Sequence, residues 1–432
     1  MVRNVLTLVS VGLLCGAPRG ASARPAEASV KRPTEAAVEF VHEFNQQLGL
    51  TAADAQLKLE HMASNPAHFF TAMPANFYRD VRGPYAASVQ TRPTAAPRGL
   101  LVGDAHYGNL MTHTGPNGQT VWGWGDCDKS GTGPLDWDLA RLAAHTAVVA
   151  GRHSSPVDPT PLIAALAKGY FEQMRAFASS GKRPPGFLKA DQLEGALADF
   201  VKKKSSQSQK AFIEELAPHN AFHHKKKPTA EEAEAIKAAV QDYASRLPAD
   251  APVAKPVQVL AVGVDHPGAG GSNAGLKKYL ALLAPAKPED PPVALKFKQV
   301  LPSPSEIGTG SLAQSDASKV VERAALLEGY RNPLLGYAAV NAVSCLVEPM
   351  EANNDTVDPS RFSKKDFEQV AFSAGRALAQ SQLQDPAVTQ PQVKQWLGEP
   401  SSDLEATQRL QRFAAEYADQ TVADTRALKK KH

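Results

Sequence analysis

The chain has 432 residues, with 47 lysines and arginines against 44 aspartates and glutamates, and a net charge of +3. So small an imbalance argues against a nucleic-acid partner, because the lysine runs at Lys202-Lys203-Lys204, Lys225-Lys226-Lys227 and Lys429-Lys430-Lys431 lack interleaved aromatics. Three cysteines exclude a disulfide framework, and the length suits one large two-lobed domain or two domains with ample core.

Residues 1–23 carry Arg3, an apolar run 5–14, and Ala21-Ser22-Ala23 as a small-residue cleavage site. That is the make-up of a secretory signal peptide, too short for a membrane span. An exported protein, periplasmic or extracellular, is expected. Leu14 opposes a lipoprotein reading through Cys15. No later segment is apolar enough to span a bilayer. Amphipathic helices are expected at 36–48 and 52–64, forming an N-terminal extension over 24–64. A Pro-containing connector over 92–98 follows.

Residues 103–141 concentrate the chemistry: GDAHYGNLMTHTGPNGQTVWGWGDCDKSGTGPLDWDLAR. Leu100-Leu101-Val102 reads as a strand entering a polar turn, and Val121-Trp122-Gly123-Trp124 as another. A hairpin of these two would bring Asp104 and Asn109 near Asp126 and Asp128. A helix begins near Trp137, with Asp136 and Asp138 capping it and holding the loop. The chemistry suggested is metal-assisted phosphoryl transfer. Mg2+ takes one or two carboxylates and leaves its other positions to water and phosphate. Asn109, Asp126 and Asp128 suit that role. Asp104 suits the positioning or deprotonation of an acceptor hydroxyl. His106 would orient Asp104 or the loop, or be satisfied by the backbone.

Helices are expected at 143–152, 161–179, 190–204, 209–216 and 230–247. A loop between them carries His219, His223 and His224, which lack the spaced partners of a zinc site. A Pro- and Ala-rich connector at 248–256 divides a helical lobe (65–247) from a sheet lobe (248–350). C-terminal helices fill 351–432. The sheet lobe reads as strand 257–264, a glycine run with Gly270, Gly271, Ser272 and Gly275, a second element 276–283, and strand 293–300 carrying Lys296 and Lys298. Glycines let backbone amides approach phosphate, and a strand lysine can pair with it. Lys298 and Lys296 share a strand face. A helix over 318–329 would offer Glu322 or Glu328 to Lys298, and 341–350 reads as a strand.

These motifs carry a resemblance. Asp104, His106 and Asn109 in a GDxHxxN pattern, a strand ending at Asp126, and Gly133-Pro134-Leu135-Asp136-Trp137-Asp138-Leu139-Ala140-Arg141 resemble the catalytic segment of aminoglycoside phosphotransferase and choline kinase-like enzymes. They resemble more closely the bacterial domain-of-unknown-function family 2252, which is related to that group. Residues 69–79, 275–279 and 295–303 are similar to further segments of it, and Lys298 matches the phosphate-pairing lysine better than Lys296. Gln299 stands where the family has Glu. The resemblance implies an α+β, protein kinase-like two-lobed fold. Because the catalytic segment precedes the glycine loop, that fold would be circularly permuted. It implies ATP and Mg2+ as cofactors and an unidentified hydroxyl acceptor as phosphoryl partner. Two alternatives stay open: a non-catalytic, pseudokinase-like binding protein, and a metallophosphoesterase using Asp104-Ala105-His106.

Overall fold

The computed structural model describes residues 32–153, 157–219, 228–265, 273–307 and 315–432, which belong to a single compact unit. The expected signal peptide, Gly270, Gly271, Ser272, His223 and His224 lie outside the described residues, as does the side chain of His219.

The chain starts with helices α1 (Thr34–Gln47), α2 (Ala52–Ser64), α3 (Pro66–Ala72) and α4 (Pro74–Arg82). Their starts are written locally. The Thr51 hydroxyl accepts from the Asp54 N–H, the Asn65 side chain accepts from the His68 N–H, and Pro66 and Pro74 occupy first-turn positions that need no N–H. Val38, Val41, Phe44, Leu59, Met62 and Phe69 form a cluster of their own with Leu428 from the far end of the chain.

The central stretch folds as β1 (Arg98–Leu101), β2 (Leu110–Thr114), β3 (Thr120–Trp124), β4 (Gly131–Pro134) and α5 (Asp136–Ala150). The expected hairpin of 100–102 with 121–124 is replaced. β1 pairs with β4, and β3 pairs with β2, a segment that alternates too weakly to stand out in the sequence. The turn at 114–118 is where the glycines and Asn117 (φ 60°) place it. β2 and β3 join β5 (Phe187–Lys189) and β11 (Asp355–Thr356) in a four-stranded sheet, order β11-β2-β3-β5.

Helix α6 (Pro159–Ser180) follows α5, then α7 (Gly195–Ser205), α8 (Gln209–His219) and α9 (Ala230–Ser245). The largest core holds α5, α6, and the later α11 (Lys364–Gln382), α12 (Gln390–Leu397) and α13 (Ser402–Lys431). α6 and α11 touch backbone to backbone. A Cβ at Gly169 would overlap the Phe372 carbonyl, and one at Gly375 the Leu166 carbonyl.

The second sheet comprises β6 (Val259–Asp265), β7 (Lys278–Leu283), β8 (Val293–Gln299), β9 (Gly336–Val340) and β10 (Val343–Pro349), in the antiparallel order β6-β7-β8-β10-β9. Helix α10 (Ala317–Leu327) connects β8 to β9. Strand alternation divides the two faces. Leu295, Phe297, Cys345 and Val347 pack with Ile236, Val240 and Tyr243 of α9, whereas Leu346 joins Val320, Val321 and Ala324 of α10 in the large core. Helix α9 therefore belongs with the sheet and not with the preceding helices. Its apolar stripe gave the helix but not what the stripe covers. β9 was absent from the expected elements. Cys127 and Cys345 are both buried free thiols. Among the described residues no helix is long and apolar enough to cross a membrane.

Candidate functional site

The turn after β1 is built around a steric demand. Gly103 sits at φ +77°, and a Cβ there would overlap the Lys129 carbonyl oxygen. The next residue, Asp104, is buried and ion-paired with Arg141, whose guanidinium also donates to the Phe70 carbonyl and lies 4.4 Å from the Phe70 ring. Burial works against the Asp104 charge, but Arg141 outweighs it and holds the carboxyl well below the usual carboxylate range. The other partner is His106. Its Nδ1 accepts from the Gly108 N–H (3.0 Å), so in the neutral ring Nε2 carries the proton and faces Asp104 Oδ2 at 3.6 Å. Asn109 donates through Nδ2 to the Asp104 carbonyl (3.0 Å), and its own carbonyl accepts from the Gly125 N–H (3.0 Å). The β2–β3 register thus sets Asn109 across from Gly125 and beside Asp126, which takes a left-handed conformation at φ 55°.

Asp138 anchors this turn from α5. It accepts from the Val102 N–H (2.7 Å), the Tyr78 hydroxyl (2.8 Å) and Gln382 Nε2 (3.4 Å). Asp136 accepts from the Thr91 N–H (3.4 Å). Neither faces a cation, so burial pushes Asp136 up to about 7 and Asp138 to about 6. A carboxyl whose folded pKa is raised contributes stability that is complete below its unfolded value. That contribution is lost as pH rises through the folded value. Asp136→Asn keeps an acceptor for Thr91 and removes this loss. Urea unfolding should then show the variant gaining on the parent between pH 4 and pH 7, by up to about 4 kcal/mol at one pKa unit per 1.36 kcal/mol. A constant difference across that range would refute the assignment.

Lys298 points from β8 to the face of the sheet opposite α9 and reaches Asp126 and Glu348 (2.8 Å). Lys296, two residues back on the same face, reaches Glu348 at 3.4 Å. Burial opposes the Lys298 charge, but Asp126 and Glu348 outweigh it and hold the ammonium well above its ordinary value. The same cations hold Glu348 and Asp126 below theirs, against burial. The lysine's partner is therefore neither Glu322, which is exposed on α10, nor Glu328, which lines the cleft without a direct ion pair to Lys298. Glu348 was missed. It becomes visible only once β10 is known to pair antiparallel with β8, which places it opposite Lys296.

Asp126 keeps 32% of its side chain exposed, in a cleft lined also by Lys296, Lys298, Glu328, Glu348 and Met111. Beside it, Asp128 contacts Lys129 Nζ (3.2 Å) and Asn273 Nδ2 (3.3 Å), while Lys129 also donates to Asn273 Oδ1 (2.7 Å). Burial, then repulsion from Asp126, raises the Asp128 carboxyl. Gly275, at φ +80°, packs against Leu50, so the segment entering β7 lies under the α1–α2 connector. Among the described residues no three His, Cys, Asp or Glu side chains form a ready-made metal cage. Asn109, Asp126 and Asp128 offer the sparse oxygen set that Mg2+ accepts when phosphate and water complete its octahedron. Of the expected site residues, Asp126 and Lys298 meet directly in the cleft, His106 and Asn109 contact Asp104 in the turn after β1, and Asp128 pairs with Lys129 and Asn273.

Neither the curated proteins nor the solved structures contain a match to this chain. A family described as "Uncharacterized protein conserved in bacteria (DUF2252)" matches residues 51–431, most of the chain, and the protein belongs to that family.

Proposed function

We propose that the cleft between β8–β10 and the central stretch binds ATP with Mg2+, and that the protein transfers a phosphoryl group to a hydroxyl acceptor. The observation that carries this is the ion pair joining Lys298 of the sheet to Asp126 of the central stretch. It unites a strand cation and a metal-binding carboxylate whose sequence positions are far apart. The order of parts supports the same reading. Two strands flank a glycine-bearing segment, a third carries the lysine, and a helix follows, as in protein kinases. Because the central stretch precedes the sheet in sequence, the fold would be a circularly permuted kinase-like one, exported if residues 1–23 are a leader. In this scheme Lys298 clamps phosphate, and Asn109, Asp126 and Asp128 hold the metal. Asp104 orients the acceptor hydroxyl.

The state of Asp104 favours a second reading, a binding protein without turnover. A carboxylate held so low by Arg141 accepts protons poorly. A loose phosphoryl-transfer transition state asks for positioning more than for a strong base, which keeps the enzyme reading ahead.

Thermal unfolding tests the cleft. ATP at a hundred times its dissociation constant should add about 2.7 kcal/mol in the presence of Mg2+, and Asp126→Ala or Lys298→Ala should abolish that increment. No increment at millimolar ATP in the parent chain would end the nucleotide reading. Asp104→Asn should keep the increment and lose any phosphoryl transfer. Turnover surviving that substitution would remove Asp104 from the chemistry.

A further inference from the structure

The sheet face that carries Lys298 has two unlike ends. On β8, Ala294, Lys296 and Lys298 alternate onto this face, and their partners on β7 are Leu282, Leu280 and Lys278 in that order. One end is therefore basic, with Lys298 paired to Asp126 in the cleft. The other end is apolar, and α8 covers it. Ile213 forms one buried cluster with Leu282 and Ala294, against which Phe212, Leu216 and Met350 pack.

Helix α8 also takes up the polar groups at that end. Gln209, its first residue, donates through Nε2 to the Met350 carbonyl (3.0 Å), and its Oε1 accepts from the Ala352 N–H (2.8 Å). These backbone groups lie just past β10, next to Pro349 and Glu351 of the cleft wall. An apolar surface edged by one backbone acceptor and one backbone donor suits a flat heteroaromatic ring. The Gln209 carboxamide presents a donor beside an acceptor, the pattern that the edge of adenine also presents. The length agrees, because the strand from Lys298 back to Ala294 spans about 13 Å, comparable to the reach of ATP from its phosphates to its base.

The hold on α8 is slight. Among residues 209–216 only Ile213 is buried, and its cluster is separate from the larger cores. The helices on either side are fixed differently. α7 places Leu197, Ala198 and Val201 in the large core, and α9 places Ile236, Val240 and Tyr243 in the core of the sheet. Segments with few buried apolar contacts are the first to open.

We propose that α8 is a displaceable lid over the base end of the cleft, where Gln209 and Ile213 occupy the place that the base of ATP takes once α8 has left. This rests on the cleft being a nucleotide site, and it adds how that site is regulated. The basic end stays open while α8 is docked, so a phosphate chain alone binds without moving it. ATP binds only those molecules whose α8 is displaced, and its apparent affinity is reduced by that fraction.

Isothermal titration of the full chain with ATP and with inorganic tripolyphosphate, both in Mg2+, tests this against Ile213→Ser and Gln209→Ala. Ile213→Ser should bind ATP about tenfold more tightly than the parent, because the docked state loses its one buried side chain. Gln209→Ala should gain less, and tripolyphosphate affinity should stay within about twofold of the parent in both. If Ile213→Ser does not accumulate as folded protein, Gln209→Ala, which removes only side-chain hydrogen bonds, carries the comparison. In the parent, saturating ATP should speed amide hydrogen exchange across α8, and tripolyphosphate should not. Equal ATP affinity in parent and variants, or α8 amides exchanging no faster in the ATP complex, would overturn the lid and leave the nucleotide reading standing. A gain for tripolyphosphate as large as that for ATP would likewise overturn it, since α8 would then act on the whole cleft and not on its base end. No ATP binding in the parent or in either variant would end both readings.

Discussion

Gly103→Ala should destabilise the protein by about 3–5 kcal/mol, far more than the cost of the backbone conformation alone. Gly103 lies at φ +77°, where an L side chain costs about 1–2 kcal/mol. The remainder is steric. A Cβ at this point would overlap the Lys129 carbonyl oxygen, and neither side of the contact is free to move. The Lys129 carbonyl accepts from the Ser303 hydroxyl (2.8 Å), and the strand leading into Gly103 is held through the Val102 N–H on Asp138. Gly118 supplies the control, because it has nearly the same φ, +73°, with nothing within 4 Å of its would-be Cβ. Gly118→Ala should cost about 1–2 kcal/mol, the conformational part by itself. Urea unfolding of the two variants separates the terms. Equal losses would mean that the close approach of the two turns contributes nothing.

That contact also marks what could be seen in the sequence. The polar turn 103–109, the break at 114–118, the helix after Trp137 and the glycine-to-lysine order around 275–298 each depend on residues near in sequence: turn formers, capping positions, alternation. Those signals put Asp104, Asn109, Asp126 and Lys298 on the right elements. What failed was pairing. β1 was matched with the wrong strand because both β2 and β4 are short, and β4 (Gly-Thr-Gly-Pro) has no apolar alternation to announce it. Glu348 looked like one carboxylate in a strand until register set it beside Lys296 and Lys298. The apolar stripe of α9 fitted a helical neighbour as well as a sheet. Lys58 stands on an expected amphipathic helix, and the packing of that helix among the N-terminal cluster buries it. Each miss concerns a contact between distant segments, which local periodicity does not encode.

The second large effect concerns the Lys298 cluster. Lys298→Ala removes the cation common to Asp126 and Glu348, with Glu328, already raised by burial and by Glu348, close by. Glu348 keeps Lys296 at 3.4 Å, but Asp126 loses its direct ion pair in a partly buried cleft beside Glu348 and Glu328, and at pH 8 the loss should be about 3–5 kcal/mol. Its pH dependence should differ in sign from the parent's. In the parent, Asp126 and Glu348 are depressed, so their contribution is present above their unfolded values and is lost as pH falls below them. Without Lys298 at least one carboxyl is raised above its unfolded value, so stability in the variant is lost as pH rises, and the deficit should shrink between pH 8 and pH 5. Glu348→Gln leaves Lys298 its ion pair with Asp126 and should cost only about 1–2 kcal/mol. Millimolar Mg2+ should recover part of the Lys298→Ala deficit at pH 8, because a divalent cation can stand where the ammonium stood. Recovery with Mg2+ but not with sodium chloride of equal ionic strength would show that the carboxylates bind a metal and do not merely repel one another through solvent. A deficit that neither pH nor Mg2+ alters would mean that Lys298 supports the sheet through packing alone.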